Sequence, residues 1–423
     1  MDPGERGVSR EQAWRRGQDA VAELGLTAVL GSPDDEADFT GWTCALTDES
    51  GAAVPGGFGS GKGYRDEARV GALFETLEHL MSRSPSVRTL VPTLRRAHEL
   101  AAGELSADIA VRLLRDGPDA WLACRTAESL TDGTSIALPL FLCCPDYLAT
   151  AHRSQRAELG DHYDYTGIGR YSVNNGCAAG ASRDEAIVHA LNEIIERDAF
   201  SLLLSRTFLA GPDASDPLVV LDPDTLPPDL AALREVAQHR AGGEVHLVEM
   251  TTDLAVPAVL AYVLPARGGP ARMRGCGASL SRQHAAWRAL TELCQLSRSD
   301  FAEYGTCEAD PELAGYPPLH ACYRANLANA LRQAQHEPFR ETDAPDNPGE
   351  HRRQLISRVA ESGHQPYLCT LHTFSNDVTV VSAFVPGLER FMIITDGQLV
   401  IPGPRAMAAR HTSRTGKAPT SVR

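Results

Sequence analysis

Apolar residues recur at helical spacing in several long stretches of this chain and alternate with polar ones in several short stretches. The helical pattern predicts helices over residues 11–24, 64–82, 86–102, 183–203, 230–238, 281–304 and 350–362. The alternating or short apolar runs predict strands over 42–48 and 52–58, joined by a turn at Glu49-Ser50-Gly51. Two more fall within 119–149 around Asp132-Gly133, and others at 246–250, 256–264, 366–372 and 377–385. Small-residue stretches at 56–63, 175–181 and 275–278 read as loops that each run into a helix. Residues 305–350, rich in Pro, Asp and Asn, read as an insertion or mobile loop. Strands and helices alternate irregularly and some strands form hairpins. The expected fold class is therefore mixed α/β (α+β), with mixed and antiparallel sheets rather than a doubly wound parallel sheet.

The stretch from Ser172 to Asp198 organises the rest. Ser182 is a good N-cap and Glu185 follows three residues later, the pattern of a capping box. Ile187, Ala190, Leu191, Ile194 and Ile195 then mark the apolar face of a helix. Glu193 and Glu196, three apart, share its other face. Two carboxylates on a mostly apolar helix are costly to bury unless something binds them.

This element is written three times. Arg65, Arg183 and Arg282 each stand ten residues before a glutamate, in Ala-Leu-Phe-Glu75-x-x-Glu78, Ala-Leu-Asn-Glu193-x-x-Glu196 and Ala-Leu-Thr-Glu292-x-x-Gln295. A polar line at i, i+4, i+7 runs down each helix: Gly71/Glu75/Glu78, His189/Glu193/Glu196 and Arg288/Glu292/Gln295. A single Glu-x-x-Glu is usually a solvated helix face, and His189 alone is more often a packed histidine than a ligand. The recurrence of one line among apolar neighbours, each time after a glycine-rich stretch, favours a shared site. Magnesium takes oxygen ligands and accompanies phosphates. Glycine-rich loops and helix N-termini present N–H groups to phosphate. The residues thus predict a Mg-nucleotide site built from three helices. Gly59-Ser-Gly-Lys62-Gly63 does not match a Walker A loop, and the protein-kinase signatures are missing.

Composition narrows the function classes. The chain has 423 residues, 43% hydrophobic and 22% charged, with a formal charge of −15. Its length suits two or three domains or one large α/β domain. An acidic chain is a poor partner for nucleic acid or a membrane surface. Ten cysteines without a Cys-x-x-Cys pair read as reduced core thiols, which predicts a cytoplasmic protein without a structural zinc. The charged N-terminus lacks the apolar core of a signal peptide, and no apolar run is long enough to span a bilayer.

The motifs resemble those of the YcaO family of ATP-dependent peptide-backbone modifying enzymes. The likeness is carried by Ser172-x-x-Asn175-Gly176-x-Ala-Ala-Gly180 and Glu193-x-x-Glu196-Arg197-Asp198-Ala199. It continues in Gly61-Lys62-Gly63 with Glu75-x-x-Glu78, in Arg288-Ala-Leu-x-Glu292-x-x-Gln295-x-x-Arg298, and in Val385-Pro-Gly-Leu-Glu389. It spans residues 40 to 405 and implies a YcaO-type fold with three carboxylate-bearing helices around a nucleotide. It divides the chain into an N-terminal extension (1–40), an ATP-binding catalytic domain (41–405) and a flexible basic tail (406–423). It implies ATP and Mg2+ as cofactors. Glu75, Glu78, Glu193 and Glu196 would be the magnesium ligands, and Lys62, Ser172, Asn175 and Arg197 would contact nucleotide or phosphate. Arg288, Glu292, Gln295 and Arg298 would complete the phosphate and ribose contacts, without a division of roles among them.

In the implied chemistry a Cys, Ser or Thr side chain of a ribosomally made precursor peptide adds to the preceding carbonyl. The resulting oxygen takes the γ-phosphoryl of ATP and leaves as phosphate, giving a thiazoline or oxazoline. The implied partners are the precursor peptide, a separate E1-like or leader-binding protein and a flavin dehydrogenase, in a homodimer or hetero-complex. Two departures bear on this. Gly71 stands where the family often has serine, as in members of multi-protein heterocyclase complexes. The chain also ends Ala-Pro-Thr-Ser-Val-Arg423 rather than in a proline-alternating tail. That leaves the general base unassigned and keeps two alternatives in view: a thioamide- or amidine-forming enzyme, and a non-catalytic ATP-binding accessory protein.

Overall fold

The computed structural model describes residues 4–31, 41–83, 90–211, 217–264, 273–297 and 309–410. Its longer helices are α1 (Arg10–Glu23), α2 (Arg65–Ser82), α3 (Arg183–Phe208), α4 (Pro228–Ala241), α5 (Arg282–Leu296), α6 (Pro317–Arg324) and α7 (Pro348–Glu361). The strands are β1 (Thr27–Gly31), β2 (Trp42–Thr47), β3 (Ala53–Gly61), β4 (Thr93–Arg96), β5 (Trp121–Ser129), β6 (Ser135–Pro139) and β7 (Cys177–Gly180). They continue as β8 (Val219–Asp222), β9 (Val245–Glu249), β10 (Ala258–Val263), β11 (Arg274–Ala278), β12 (Gln335–Pro338), β13 (Tyr367–Thr373) and β14 (Thr379–Phe384). The chain folds as two units, Met1–Ile194 with Pro345–Pro386, and Ile195–Ala344 with Gly387–Arg423.

The first unit holds two antiparallel sheets, one ordered β1-β2-β3 and one ordered β4-β5-β13-β14-β7 with β6 on β5. The apolar stripe of α2 (Leu73, Leu77) meets Cys44 and Leu46 of β2 and Val380 of β14 in one core. Helix α1 closes over it and starts from a complete capping box between Ser9 and Gln12. The expected cap of α3 forms by half. Ser182 Oγ accepts the Glu185 N–H, while the Glu185 carboxylate accepts N–H groups of Ala181 and Gly7 instead.

The second unit holds the mixed sheet β11-β10-β9-β8-β12, in which only β12 on β8 is parallel. Its strands β10 and β11 are almost wholly buried, as their continuous apolar and small-residue runs require.

The three glycine-rich stretches, expected as loops, are largely strands: β3, β7 and β11. Their glycines are demanded by the helix that follows. A Cβ on Gly61 would lie 1.8 Å from Ala68 O and 2.4 Å from Ala72 N of α2. On Gly277 it would lie 2.1 Å from Ala285 O and 2.8 Å from Ala289 N, the same two steps along α5. Gly180 lies as close to Ala186 N at the start of α3. The sequence repeat is thus a structural one, a strand lying directly on the backbone of its own helix.

Two further expectations change. Of the helix expected over 86–102, residues 86–89 lie outside the described residues; beyond them only Ala97–Ala102 is helical, because Thr93–Arg96 pairs with β5 as β4. Pro92 disfavours helical geometry in the residue before it and starts the extended run. Residues 309–344, expected as mobile, carry α6, a short helix Ala328–Leu331 and β12. Prolines that read as loop signals open α6 and α7, where a missing N–H costs nothing.

Candidate functional site

Each of the three repeated helices is buried on most sides and leaves one stripe partly open. On α2 the open positions in its second half include Gly71, Glu75 and His79; on α3 the line is His189, Glu193 and Arg197; on α5 it includes Arg288, Glu292 and Gln295. Counted from Arg65, Arg183 and Arg282, the first two positions of each line are the same. The open stripe thus shares its first two positions with the polar line read from the sequence, and on α2 and α3 it continues at His79 and Arg197 rather than at Glu78 and Glu196. Glu78 and Glu196, one turn on, are more enclosed, at 7% and 8% exposure.

In the first unit each carboxylate is oriented by a donor from a neighbouring strand or loop. Glu75 accepts the backbone N–H of Ser60, and His79 Nε2 lies 4.0 Å from its other oxygen. Glu78 Oε1 accepts from Asn174 Nδ2 at 3.2 Å, and Glu193 Oε1 accepts the Gly176 N–H at 3.2 Å. Gly176 has φ +76°, and a Cβ there would meet Ala383 O at 2.4 Å, so only glycine turns this N–H toward Glu193. Glu78 and Glu193 flank one fully buried thiol, Cys177. Burial first, and then these two carboxylates, push that thiol well above the ordinary cysteine range. Asn175 is buried beside them in sequence, Ser172 Oγ is shielded from solvent without a hydrogen-bond partner among the described residues, and Lys62 is half-buried just after β3.

In the second unit Arg288 Nη2 of α5 lies 3.9 Å from Glu196 Oε2 of α3, both side chains largely buried. Glu292 and Gln295 continue the line on α5, and Arg298 falls outside the described residues. Among the described residues no three His, Cys, Asp or Glu side chains are gathered into a ready metal cage. The donors present still suit magnesium in kind: carboxylates already held by hydrogen bonds, one of them from an asparagine amide. A solvent-shielded hydroxyl lacking a partner, Ser172 Oγ, fits a site completed by a polar ligand.

The sequence reading did not name the groups that orient the carboxylates: Asn174 and the N–H groups of Ser60 and Gly176. Asn174 carries a signal, since it adjoins Asn175 in the central motif. The two backbone donors carry none, because any residue type supplies an N–H. Asp198, part of the central motif, had no role assigned; its carboxylate is wholly buried in the second half of α3.

Comparison with solved structures bears on the fold. A heterocyclase in complex with substrate and cofactor superposes with a TM-score of 0.63 at 18% identity; the match covers 92% of this chain, which spans about half (53%) of that one. A YcaO protein from Methanopyrus kandleri bound with AMPPCP and Mg2+ gives 0.62 at 20% identity, covering 92% of this chain and 93% of the other. The E. coli microcin synthetase McbBCD complex gives 0.53 at 14% identity, covering 85% and 86%. These likenesses establish the mixed α+β fold expected from the sequence. The family model for YcaO cyclodehydratases, described as ATP- and Mg2+-binding, matches residues 60–389, and this chain belongs to that family.

Proposed function

We propose that this protein uses Mg-ATP to activate backbone amides of a ribosomally made precursor peptide, cyclodehydrating Cys, Ser or Thr residues to thiazolines or oxazolines. The observation that carries the reading is the partly open polar stripe repeated on α2, α3 and α5. In a family that binds ATP and Mg2+, that stripe is where hard oxygen donors and phosphate-binding cations belong. Glu75, Glu78, Glu193 and Glu196 would hold magnesium. Lys62, Ser172, Asn175, Arg197, Arg288, Glu292 and Gln295 would meet the nucleotide. When bound, Mg-ATP supplies a phosphoryl group that makes the amide oxygen a leaving group, with its charge neutralised by the metal.

The chain's own part is positioning. The N–H groups of Ser60 and Gly176 and the amide of Asn174 fix the carboxylates before any ligand arrives, which lowers the reorganisation required during reaction. A peptide substrate and a partner protein accord with the named neighbours, a heterocyclase with substrate and a synthetase complex. The partner would be a leader-binding subunit that delivers the peptide. The test is co-expression with candidate Cys/Ser/Thr-rich precursors followed by mass spectrometry and an ATPase assay. Loss of one water per modified residue, with peptide-dependent ATP hydrolysis, is expected. A sulfur-for-oxygen exchange would replace azoline formation by thioamide formation, and no peptide-dependent hydrolysis with any partner would leave an accessory protein.

A further inference from the structure

The second half of α3 is fastened to the C-terminal segment of its own unit by an ionic clasp that the proposed chemistry does not use. Asp198 has no exposed surface, and its Oδ1 accepts the backbone N–H of Glu389 at 2.9 Å. Arg405 lays its guanidinium across the same carboxylate, Nε at 3.0 and 3.1 Å from the two oxygens and Nη2 at 3.1 Å. The outer edge of that guanidinium grips Asp253, which is half exposed. Glu389 in turn accepts N–H groups of Gly403 and Ala406, at 3.0 and 2.9 Å, and so caps the short helix Pro404–Ala409. Lower on the same face of α3, Ser201 Oγ accepts the Met392 N–H, and Ser205 Oγ donates to Ala406 O.

A planar fork sharing two carboxylates is the arrangement for which arginine has no substitute. Its first carboxylate belongs to the residue directly after Glu196 and Arg197. Successive residues on a helix differ by 100° in direction. Holding Asp198 by several hydrogen bonds therefore fixes the rotation of α3 about its axis at the point that carries the enclosed Glu196 and the partly open Arg197. We infer that Arg405 is a positioning residue that sets the direction of Glu196 and Arg197 through the carboxylate of Asp198. The inference rests on the reading of those two residues as part of the Mg-ATP site.

Because coupling between two sites is reciprocal, Mg-ATP must also tighten the clasp. The experiment measures Mg-ATP binding by calorimetry for the full chain, as wild type, Arg405→Ala, Arg405→Lys and Asp253→Asn, at a temperature where thermal melts show each variant folded. Hydrogen exchange over residues 387–409 is followed with and without Mg-ATP. The wild type is expected to bind, with slower exchange over 387–409 in the complex. Arg405→Ala is expected to bind on the order of tenfold more weakly, Arg405→Lys in between, and Asp253→Asn within twofold of the wild type. Should Arg405→Ala fail to fold, the lysine variant and the wild-type exchange decide. Binding by both Arg405 variants equal to wild type overturns the inference while leaving the Mg-ATP site standing. So does wild-type exchange over 387–409 that Mg-ATP leaves unchanged. Absence of Mg-ATP binding by the wild type overturns both.

Discussion

Adding one methyl group at two glycines of the first strand–helix pair has opposite consequences, and the difference tests the close strand-on-helix packing. A Cβ on Gly61 would stand 1.8 Å from Ala68 O and 2.4 Å from Ala72 N. Ordinary contact for such pairs begins near 3.4 Å. The obstructing atoms are helix backbone and cannot swing aside, so β3 and α2 must separate. Forced overpacking costs about 1–3 kcal/mol where side chains can adjust, and a backbone obstruction belongs at the upper end or beyond. Gly71 lies inside α2, with Gly61 Cα 3.4 Å from its would-be Cβ and no shorter contact. Replacing a mid-helix glycine by alanine gains roughly 0.5–1 kcal/mol when there is room. In a unit of this size about 1 kcal/mol shifts the melting midpoint by about 2–4 °C. Gly61→Ala is thus expected to melt at least about 5 °C lower and Gly71→Ala about 1–4 °C higher than wild type, read by circular dichroism. A neutral Gly61→Ala, or equal shifts at both positions, would refute the packing argument.

Gly176→Ala displaces the N–H that Glu193 accepts and meets Ala383 O at 2.4 Å, so it should weaken Mg-ATP binding in calorimetry. Asp161 is buried and accepts from the hydroxyls of Tyr147 and Tyr165 and from the N–H groups of Ala123 and Tyr163. Three of these donors share Oδ2 and only the Tyr163 N–H meets Oδ1, so Asp161→Asn with its oxygen in the place of Oδ2 leaves one donor unpaired and should lose about 1–3 kcal/mol, measured by urea unfolding. Burial holds the thiols of Cys144, Cys294 and Cys322 up at about 12 and that of Cys369 at about 11. The unfolded chain loses these protons near pH 9 and the native chain higher, so the stability they confer is complete below pH 9 and is lost as pH rises through 11–12. Melting temperatures should therefore hold level from pH 8 to 9 and fall from pH 9 to 11, and a thiol reagent at pH 8 should label these four cysteines only after unfolding.

The helices and their shared polar line were legible because helical periodicity and the offset from Arg65, Arg183 and Arg282 are properties of the sequence itself. The first two positions of each line fall among the open positions of α2, α3 and α5, while the third positions on α2 and α3, Glu78 and Glu196, are enclosed. The strands before these helices were not legible. Glycine is depleted in strands and common in turns, and its need at Gly61, Gly180 and Gly277 arises from helix backbone that meets it only in the folded chain. The order in residues 309–344 was hidden for a related reason, since a proline opening a helix looks locally like a proline ending one. Strand β1 escaped notice because it is a short edge strand with its alternate residues exposed. The Asp198–Arg405 clasp joins residues some two hundred positions apart, and no local pattern marks such a pair.

The carboxylates on α2 and α3 are proposed to hold magnesium for ATP. Calorimetric titration of the wild type, Glu78→Gln and Glu193→Gln with ATP, with and without Mg2+, tests this most directly. Each substitution keeps the side chain's size and removes its charge. The wild type is expected to bind ATP only with Mg2+, and both variants to lose most of that binding while melting like the wild type. ATP binding that ignores Mg2+, or that survives both substitutions unchanged, would contradict this.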